Sequence, residues 1–357
     1  MYTRELEEAP QSFVRKGKPV FGTFLNHPER LDIRGIKNPF YTFPLPTLLS
    51  NLRIKSRLSF FFSLGEYIGC IDFYDSKIFG MAEVNFWNMQ TKQRYVYRSV
   101  MGPRKRFVPH KLIAASTSSY KKSRYIRISW DRKTDKLSVI FNLKGDSVRP
   151  NANSALIARF NSDQMTELTC ISPSPTRRRC SAHYYATLPL HGAVTLIPKH
   201  SDAITMKDCD GISFFEINRT YMKFISHGEF VTGMGFVNGK NISFRIQASS
   251  QDAVDQDKYN SNVLFYDGKP TPLPPVVITH SYGIMNKWII QDTENMIDLT
   301  FSPVSDNKNI ISAIILHSEY HTIYGTFEGD LLTADGEKIS IKSLPGITKK
   351  YSIRLPL

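Results

Sequence analysis

Three dipeptides constrain the fold of this chain more than any other feature. Asn238-Gly239 lies between the apolar runs Gly233–Val237 and Ile242–Ile246. Asp267-Gly268 follows Val263-Leu264-Phe265-Tyr266, and Asp335-Gly336 separates Leu331-Leu332 from Ile339-Ser340-Ile341. Asn-Gly and Asp-Gly accept positive φ at both central positions of a two-residue turn, the geometry whose twist matches that of paired strands. Three such signals in about 100 residues predict consecutive antiparallel hairpins.

The rest of the sequence agrees. Its 23 Phe and 17 Tyr fall in short runs with β-branched residues. Tyr67–Tyr74, Ile78–Trp87 and Tyr95–Tyr97 read as a meander, with a turn over Asn88–Gln93. Tyr125–Trp130 alternates polar with apolar residues, turns through Asp131–Asp135 and returns as Leu137–Phe141, a hairpin with one wet and one dry face. Ile310–Leu316 reads as a near-continuous apolar strand. Helical candidates are few, at Asn153–Phe160 and Ser250–Lys258. Lys269–Pro275 holds four prolines and can only be an edge or a connector. The short echo of Phe21-Gly22-Thr23-Phe24 in Tyr324-Gly325-Thr326-Phe327 is what two barrels of related design would leave.

A chain of 357 residues suggests about two domains. The Pro- and Ser-rich run Ile171–Pro175 places the boundary near 175–182. The expected fold is therefore all-β, with two tandem antiparallel β-barrels or strongly curved sheets over 18–180 and 181–357. Charge divides the same way. Residues 1–180 carry 31 Lys and Arg against 14 Asp and Glu, and residues 181–357 carry 15 against 18. The dense spots are Arg104-Lys105-Arg106, Lys121-Lys122-x-Arg124 and Arg177-Arg178-Arg179. Such asymmetry suits an anionic partner, or solvated loop tips between strands. Without a helix-turn-helix, zinc-finger or RNP pattern, nucleic acid is not an expected partner, and only a weak contact with an anionic membrane is.

No window approaches 18 uncharged apolar residues, and the acidic N-terminus lacks a signal peptide's apolar core, so a cytoplasmic location is expected. Cys70, Cys170, Cys180 and Cys209 match no zinc pattern and are expected to be reduced thiols. Cys180, after three arginines, is the one with redox potential, because nearby cations lower a thiol pKa.

No GxSxG elbow, HExxH, P-loop or GxGxxG is present, which removes the readily recognised hydrolase, zincin, NTPase and dinucleotide classes. Neither a metal nor an organic cofactor is expected. Asp208-x-Asp210-Gly211 has the start of a calcium loop without its later ligands. Among candidate catalytic residues, Asp292, Glu294 and Asp298 share strand parity. On a continuous strand they lie on one face, where paired carboxylates perturb each other's pKa. If that face is solvated, they are ordinary strand charges. His183 and His191, and His280 further on, are either hydrogen-bonded structural histidines or acid/base groups. His183 is the one placed to serve in a groove between the domains.

His321–Asp330, followed by Asp335-Gly336-Glu337 and Leu344-Pro345-Gly346, resembles the closing motif of the bacterial domain-of-unknown-function family 2804. Ile297–Pro303 is similar to that family's Asp-Leu-x-Phe-x-Pro element, and Tyr259–Leu264 to its Asn-rich segment before a strand. The family is similar in fold to the hydroxyneurosporene synthase and AttH group, and the resemblance therefore implies two lipocalin-like (calycin-type) barrels. Carotenoid hydratases of that group use acidic side chains, none of which maps onto a position here. Three functions follow as expectations. The first is a binding protein for a hydrophobic, lipid-like or terpenoid-like small molecule. The alternative is a cofactor-free hydratase, cyclase or isomerase acting on an apolar substrate. The second alternative is a peripheral protein that binds an anionic membrane or nucleic acid through its basic N-terminal half.

Overall fold

A computed structural model describes residues 1–40, 46–103, 107–199, 204–205, 207–313 and 316–354. The basic run Arg104-Lys105-Arg106 lies outside them. The fold is all-β, with one short helix, Thr47–Leu52, among the described residues. Its strands form two large, strongly curved sheets, one nearly closed into a barrel and the other a half-barrel, in a lipocalin-like arrangement. Pairing within them is antiparallel except where Leu6–Glu7 runs parallel to Gly22–Phe24.

Two of the three hairpin signals hold as two-residue turns; at Asp335-Gly336 only Gly336 has positive φ, 83°, and the connection from Leu332 to Lys338 is five residues long. Asn238 and Gly239 have φ of 53° and 77°, and Asp267 and Gly268 have 51° and 73°. They join Ile225–Val237 to Lys240–Ser249, and Val263–Tyr266 to Lys269–Pro272. Lys269–Pro272 sits at the edge of its sheet, where proline's missing donor costs nothing. One helical candidate is overturned: Asn151–Ala158 is a strand between Lys136–Leu143 and Cys180–Ile197. Ala152, Ser154, Leu156 and Ala158 are buried while Asn151 and Ala155 are exposed, a period of two that a helix cannot satisfy. Ser250–Lys258 forms turns rather than a helix. The Ile310–Leu316 run is not a single strand either; one strand ends at Ala313 and the next begins at Leu316.

The division between the sheets also differs from expectation. It falls between Tyr221 and Ile225, because Cys180–Ile197 and Cys209–Tyr221 belong to the first sheet. Ile171–Pro175 is the end of a hairpin arm: Thr166–Pro173 pairs with Cys180–Ile197 from Thr166↔Thr187 to Pro173↔Cys180. Proline is tolerated there because it stands at the strand's last residue.

Each sheet wraps a core of its own. The first encloses Phe60, Phe62, Phe73, Phe86, Phe141 and Phe215 with many aliphatic side chains. Phe86 stacks on Tyr95 at 5.0 Å. Each such ring contributes about 1.5–3 kcal/mol by leaving water. The second encloses Phe244, Trp288, Phe301 and Phe327. A third cluster lies between the sheets, where Trp87 meets Tyr324 at 5.7 Å and Phe214 meets Phe265 at 6.0 Å. The central strands of the first sheet are thus covered on both faces, which is why their apolar runs are nearly continuous.

A polar seam between the two sheets

Side chains two apart on a strand share a face, and residues in register on neighbouring strands share it too. Arg57 and Ser59, Asp72 and Tyr74, His183 and Tyr185, and Glu216 and Asn218 are four such polar pairs. The residues between them, Leu58, Phe73, Tyr184 and Ile217, turn into the first barrel. Register joins the pairs into two rows on the outer face. One runs His183–Asn218–Arg57–Tyr74, and the other runs Tyr185–Glu216–Ser59–Asp72–Glu83–Arg98. The facing sheet answers with Tyr320–Tyr351–Gly228–Ser249 and Thr322–Lys349–Phe230–Gln247.

The second row is held by buried ion pairs across the sheets. Lys349 donates to both Asp72 oxygens at 2.8 and 2.7 Å, and Ser59 donates to the same carboxylate at 2.5 Å. The ammonium also lies 4.6 Å over the Phe61 ring. Burial pushes the Asp72 carboxyl up, but Lys349, Arg57 and these hydrogen bonds outweigh it and hold it at about 2. Arg245 lies against Glu216, with Nη2 to Oε1 at 3.4 Å and Nε to Oε2 at 3.2 Å. Both side chains are almost wholly buried.

The first row opens into a pocket of about 60 Å³ shared by the sheets. Arg57, Tyr74 and His183 line it from one side, and Tyr320, Tyr351 and Gln247 from the other. Its volume admits a functional group rather than a whole large molecule. Arg57 Nη1 donates to the Tyr320 hydroxyl, and its guanidinium lies 4.6 Å over the same ring. Arginine can only donate, so the Tyr320 oxygen accepts and its own proton is left for another acceptor. Burial holds the Tyr320 phenol above its ordinary value, against Arg57 and Lys349. It therefore stays protonated at neutral pH. His183 is 3% exposed. Burial lowers its pKa to about 4, with Glu216 opposing and Arg245 reinforcing the shift, so the ring is neutral. Its Nδ1 is buried without a hydrogen-bond partner, 4.0 Å from Glu216 Oε1. A neutral imidazole, a protonated phenol and a fixed guanidinium around one small pocket can hold an oxygen atom and move a proton.

The carboxylates singled out in the sequence lie elsewhere. Asp292 accepts backbone N–H groups from Glu294, Met296 and Ile297 at 2.8–3.3 Å, so the chain turns there and the shared parity is broken. Trp288–Gln291 and Ile297–Ala313 are separate strands with Gln291 opposite Asp298, and Gln291 donates to Asp298 at 3.0 Å. Glu294 is exposed, 3.7 Å from the Met1 ammonium. Asp292 and Asp298 border a surface depression with Asp330 and Lys338, away from the seam. His183 and His191 separate as well; His191 is exposed and bonded to Asp210 at 2.8 Å. His280 stacks on Trp288 at 4.5 Å and meets Glu229 at 2.8 Å. Burial pushes the Cys180 thiol up, which opposes a reactive thiolate, and all four cysteines are free. Among the described residues, no group of three or more His, Cys, Asp or Glu side chains could hold a metal ion, and no helix is long and apolar enough to cross a membrane.

Sequence reasoning reached His183 but missed Arg57, Tyr320 and the ion pairs. The signal was present as polar pairs two residues apart inside otherwise apolar strands.

Comparison with known proteins places the architecture. The family described as "Domain of unknown function (DUF2804)" matches residues 4–355. No curated protein matches the chain. A solved structure titled kievitone hydratase from Nectria haematococca is similar at 9% identity, over 85% of this chain and 89% of that one, with a TM-score of 0.51. CghA is similar at 10% identity, over 98% of this chain and 97% of that one, with a TM-score of 0.46.

Proposed function

The chain belongs to the DUF2804 family, and from that premise we propose that it is a cofactor-independent enzyme that binds an apolar small molecule by an oxygen-bearing group in the pocket between its sheets. It then moves protons on that molecule, as in hydration, dehydration or isomerisation. The observation that carries this reading is the pairing, in one pocket, of the neutral His183, whose buried Nδ1 has no hydrogen-bond partner, with a Tyr320 phenol whose oxygen is already held by Arg57. In this reading Tyr320 donates its proton, or a hydrogen bond, to a carbonyl or hydroxyl oxygen. Arg57 stabilises the negative charge that develops on it, and His183 takes a proton from the adjacent carbon or from water. The low dielectric of the seam strengthens each of these interactions. Met222, Phe230 and Ile353 line the same pocket and supply apolar wall beside that group. The hydratase named among the similar folds is consistent with this chemistry but does not carry it.

The test is turnover in a metabolite extract, followed by mass spectrometry with the wild-type protein and with His183→Gln. A compound that gains or loses water, or exchanges carbon-bound hydrogen for deuterium, with the wild type alone supports the reading. An unchanged extract, or equal conversion by His183→Gln, contradicts it. Retention of an unchanged apolar molecule would instead favour a binding protein at the same pocket.

A further inference from the structure

A second pocket, of about 390 Å³, opens on the surface beside the seam. Arg94, Arg98, Arg124 and Arg149 line it together with Val96, Val148 and Asn307. Arg94 and Arg98 come from the strand Arg94–Met101 and Arg124 from Arg124–Asp131 of the first sheet, Arg149 from the loop before Asn151–Ala158, and Asn307 from the second sheet. Two of the four are neutralised. Arg98 Nε bonds Glu83 at 2.5 Å, and Arg149 Nε bonds Asp146 at 3.0 Å. The other two are held differently. Arg94 Nη1 donates to the main-chain oxygen of Asp306, whose carboxylate is engaged by His321, and Arg124 Nη1 donates to the main-chain oxygen of Arg98. No salt bridge to a carboxylate is found for either among the described residues. The Nε of Arg124 is in addition buried without a partner.

Four guanidiniums facing one cavity repel each other, and a buried orphan donor adds a further cost. Main-chain carbonyls fix Arg94 and Arg124 through one nitrogen each, which leaves the rest of each fork to reach outward. Planar forks held in this way match tetrahedral oxyanions, which accept two parallel N–H bonds from each. Two carboxylates for four arginines leave two uncompensated positive charges, the charge that a phosphate group brings in negative form. Val96 and Val148 add apolar wall, so the cavity can hold more than a bare ion.

We propose that Arg94, Arg98, Arg124 and Arg149 form a binding site for a phosphate or diphosphate group, separate from the pocket of His183 and Tyr320. The site stands whether or not the chain is an enzyme. It also gives the positive excess of the first 180 residues a place to act, through Arg124 and the exposed Lys121 and Lys122 in the turn before it.

Isothermal titration with pyrophosphate at low salt tests the site. Binding is expected, with affinity falling as salt rises. The double variant Arg94→Gln/Arg124→Gln should lose at least about tenfold in affinity, the equivalent of one charge-assisted hydrogen bond. Arg127→Gln, an exposed arginine on the Arg124 strand that does not line the pocket, should bind as the wild type does. If the double variant folds poorly, Val148→Asp supplies the same test. Val148 is 85% exposed at the rim, and a carboxylate there repels the anion without touching any hydrogen bond. Citrate tests the class of anion and phosphatidic acid vesicles test the source. Absence of pyrophosphate binding, binding unaffected by Val148→Asp, citrate binding as tight as pyrophosphate, or binding to vesicles alone would each overturn the proposal.

Discussion

The interior of the first barrel and the seam between the sheets are built from the same strands and obey opposite rules. On Ile54–Leu64 the inward residues Leu58, Phe60 and Phe62 join the barrel core, while the outward Arg57, Ser59 and Phe61 face the second sheet. Inside, stabilisation comes from rings leaving water, and any apolar residue of the right volume would serve. Outside, buried charges are kept only because partners on the other sheet complete them. The pairs Asp72–Lys349 and Glu216–Arg245 fix how the sheets dock, and apolar residues of similar volume could match or exceed their stability. A barrel of this class could have carried its site in its interior. Here the polar row is at the junction, and the barrel interior is filled with aromatic and aliphatic side chains around one buried arginine, Arg219, which donates to Ser56 Oγ and to the main-chain oxygens of Val108 and Pro109.

The first way to break this contrast is to remove one half of a pair. Lys349→Met leaves Asp72 charged and buried, and should cost about 3–5 kcal/mol of unfolding free energy in urea titration. The double change Lys349→Met/Asp72→Leu should recover much of that loss. A full, unrecovered loss in the double variant would show that the ion pair stabilises the junction outright. Phe60→Ala, inside the barrel, should cost a similar amount, about 3–5 kcal/mol, by leaving a cavity, with no partner change able to restore it.

A second comparison uses pH. The folded pKa of His183, about 4, is below the ordinary histidine value, so the unfolded chain binds the proton first. Its contribution to stability is complete above about pH 6.5 and is lost as pH falls toward 4, by up to about 3 kcal/mol. His183→Gln should flatten that part of the stability profile. An unaltered profile would place the titration in another group. Asp72 acts lower on the scale. Its folded pKa of about 2 lies under the unfolded value, so its contribution fades only as pH drops from about 4 through 2.

The smallest expected loss is at a turn. Gly239 has φ of +77° and open space around the position a Cβ would take. Gly239→Val should therefore cost about 1–3 kcal/mol from backbone strain alone. A melting temperature equal to the wild type would contradict that.

What could be read from the sequence follows the range of the interactions involved. Asn238-Gly239 and Asp267-Gly268 set their turns by local φ preferences, and their hairpins are legible without the rest of the chain. The division of the sheets is not, because Cys180–Ile197 chooses partners at 151–158, 166–173 and 209–221 by face burial, which no local signal announces. The parity argument for Asp292, Glu294 and Asp298 failed on a local feature. The Asp292 side chain caps a turn in which Asn295 takes a φ of 56°, and Asp-Thr-Glu-Asn is turn-forming by composition. The seam is the hardest case. His183, Asn218, Arg57 and Tyr74 come from four strands, and only their register makes them one row.

The claim that the site is at the seam is tested most directly by mass spectrometry of small molecules retained by the native protein and two variants. Tyr320→Phe removes the proposed proton donor and keeps the ring, while Ile128→Val removes one methyl group from the barrel interior. The account predicts that a small molecule held by the wild type is held equally by Ile128→Val and lost, or reduced at least about tenfold, in Tyr320→Phe. Retention by Tyr320→Phe together with loss in Ile128→Val would put the ligand inside the barrel and contradict the account.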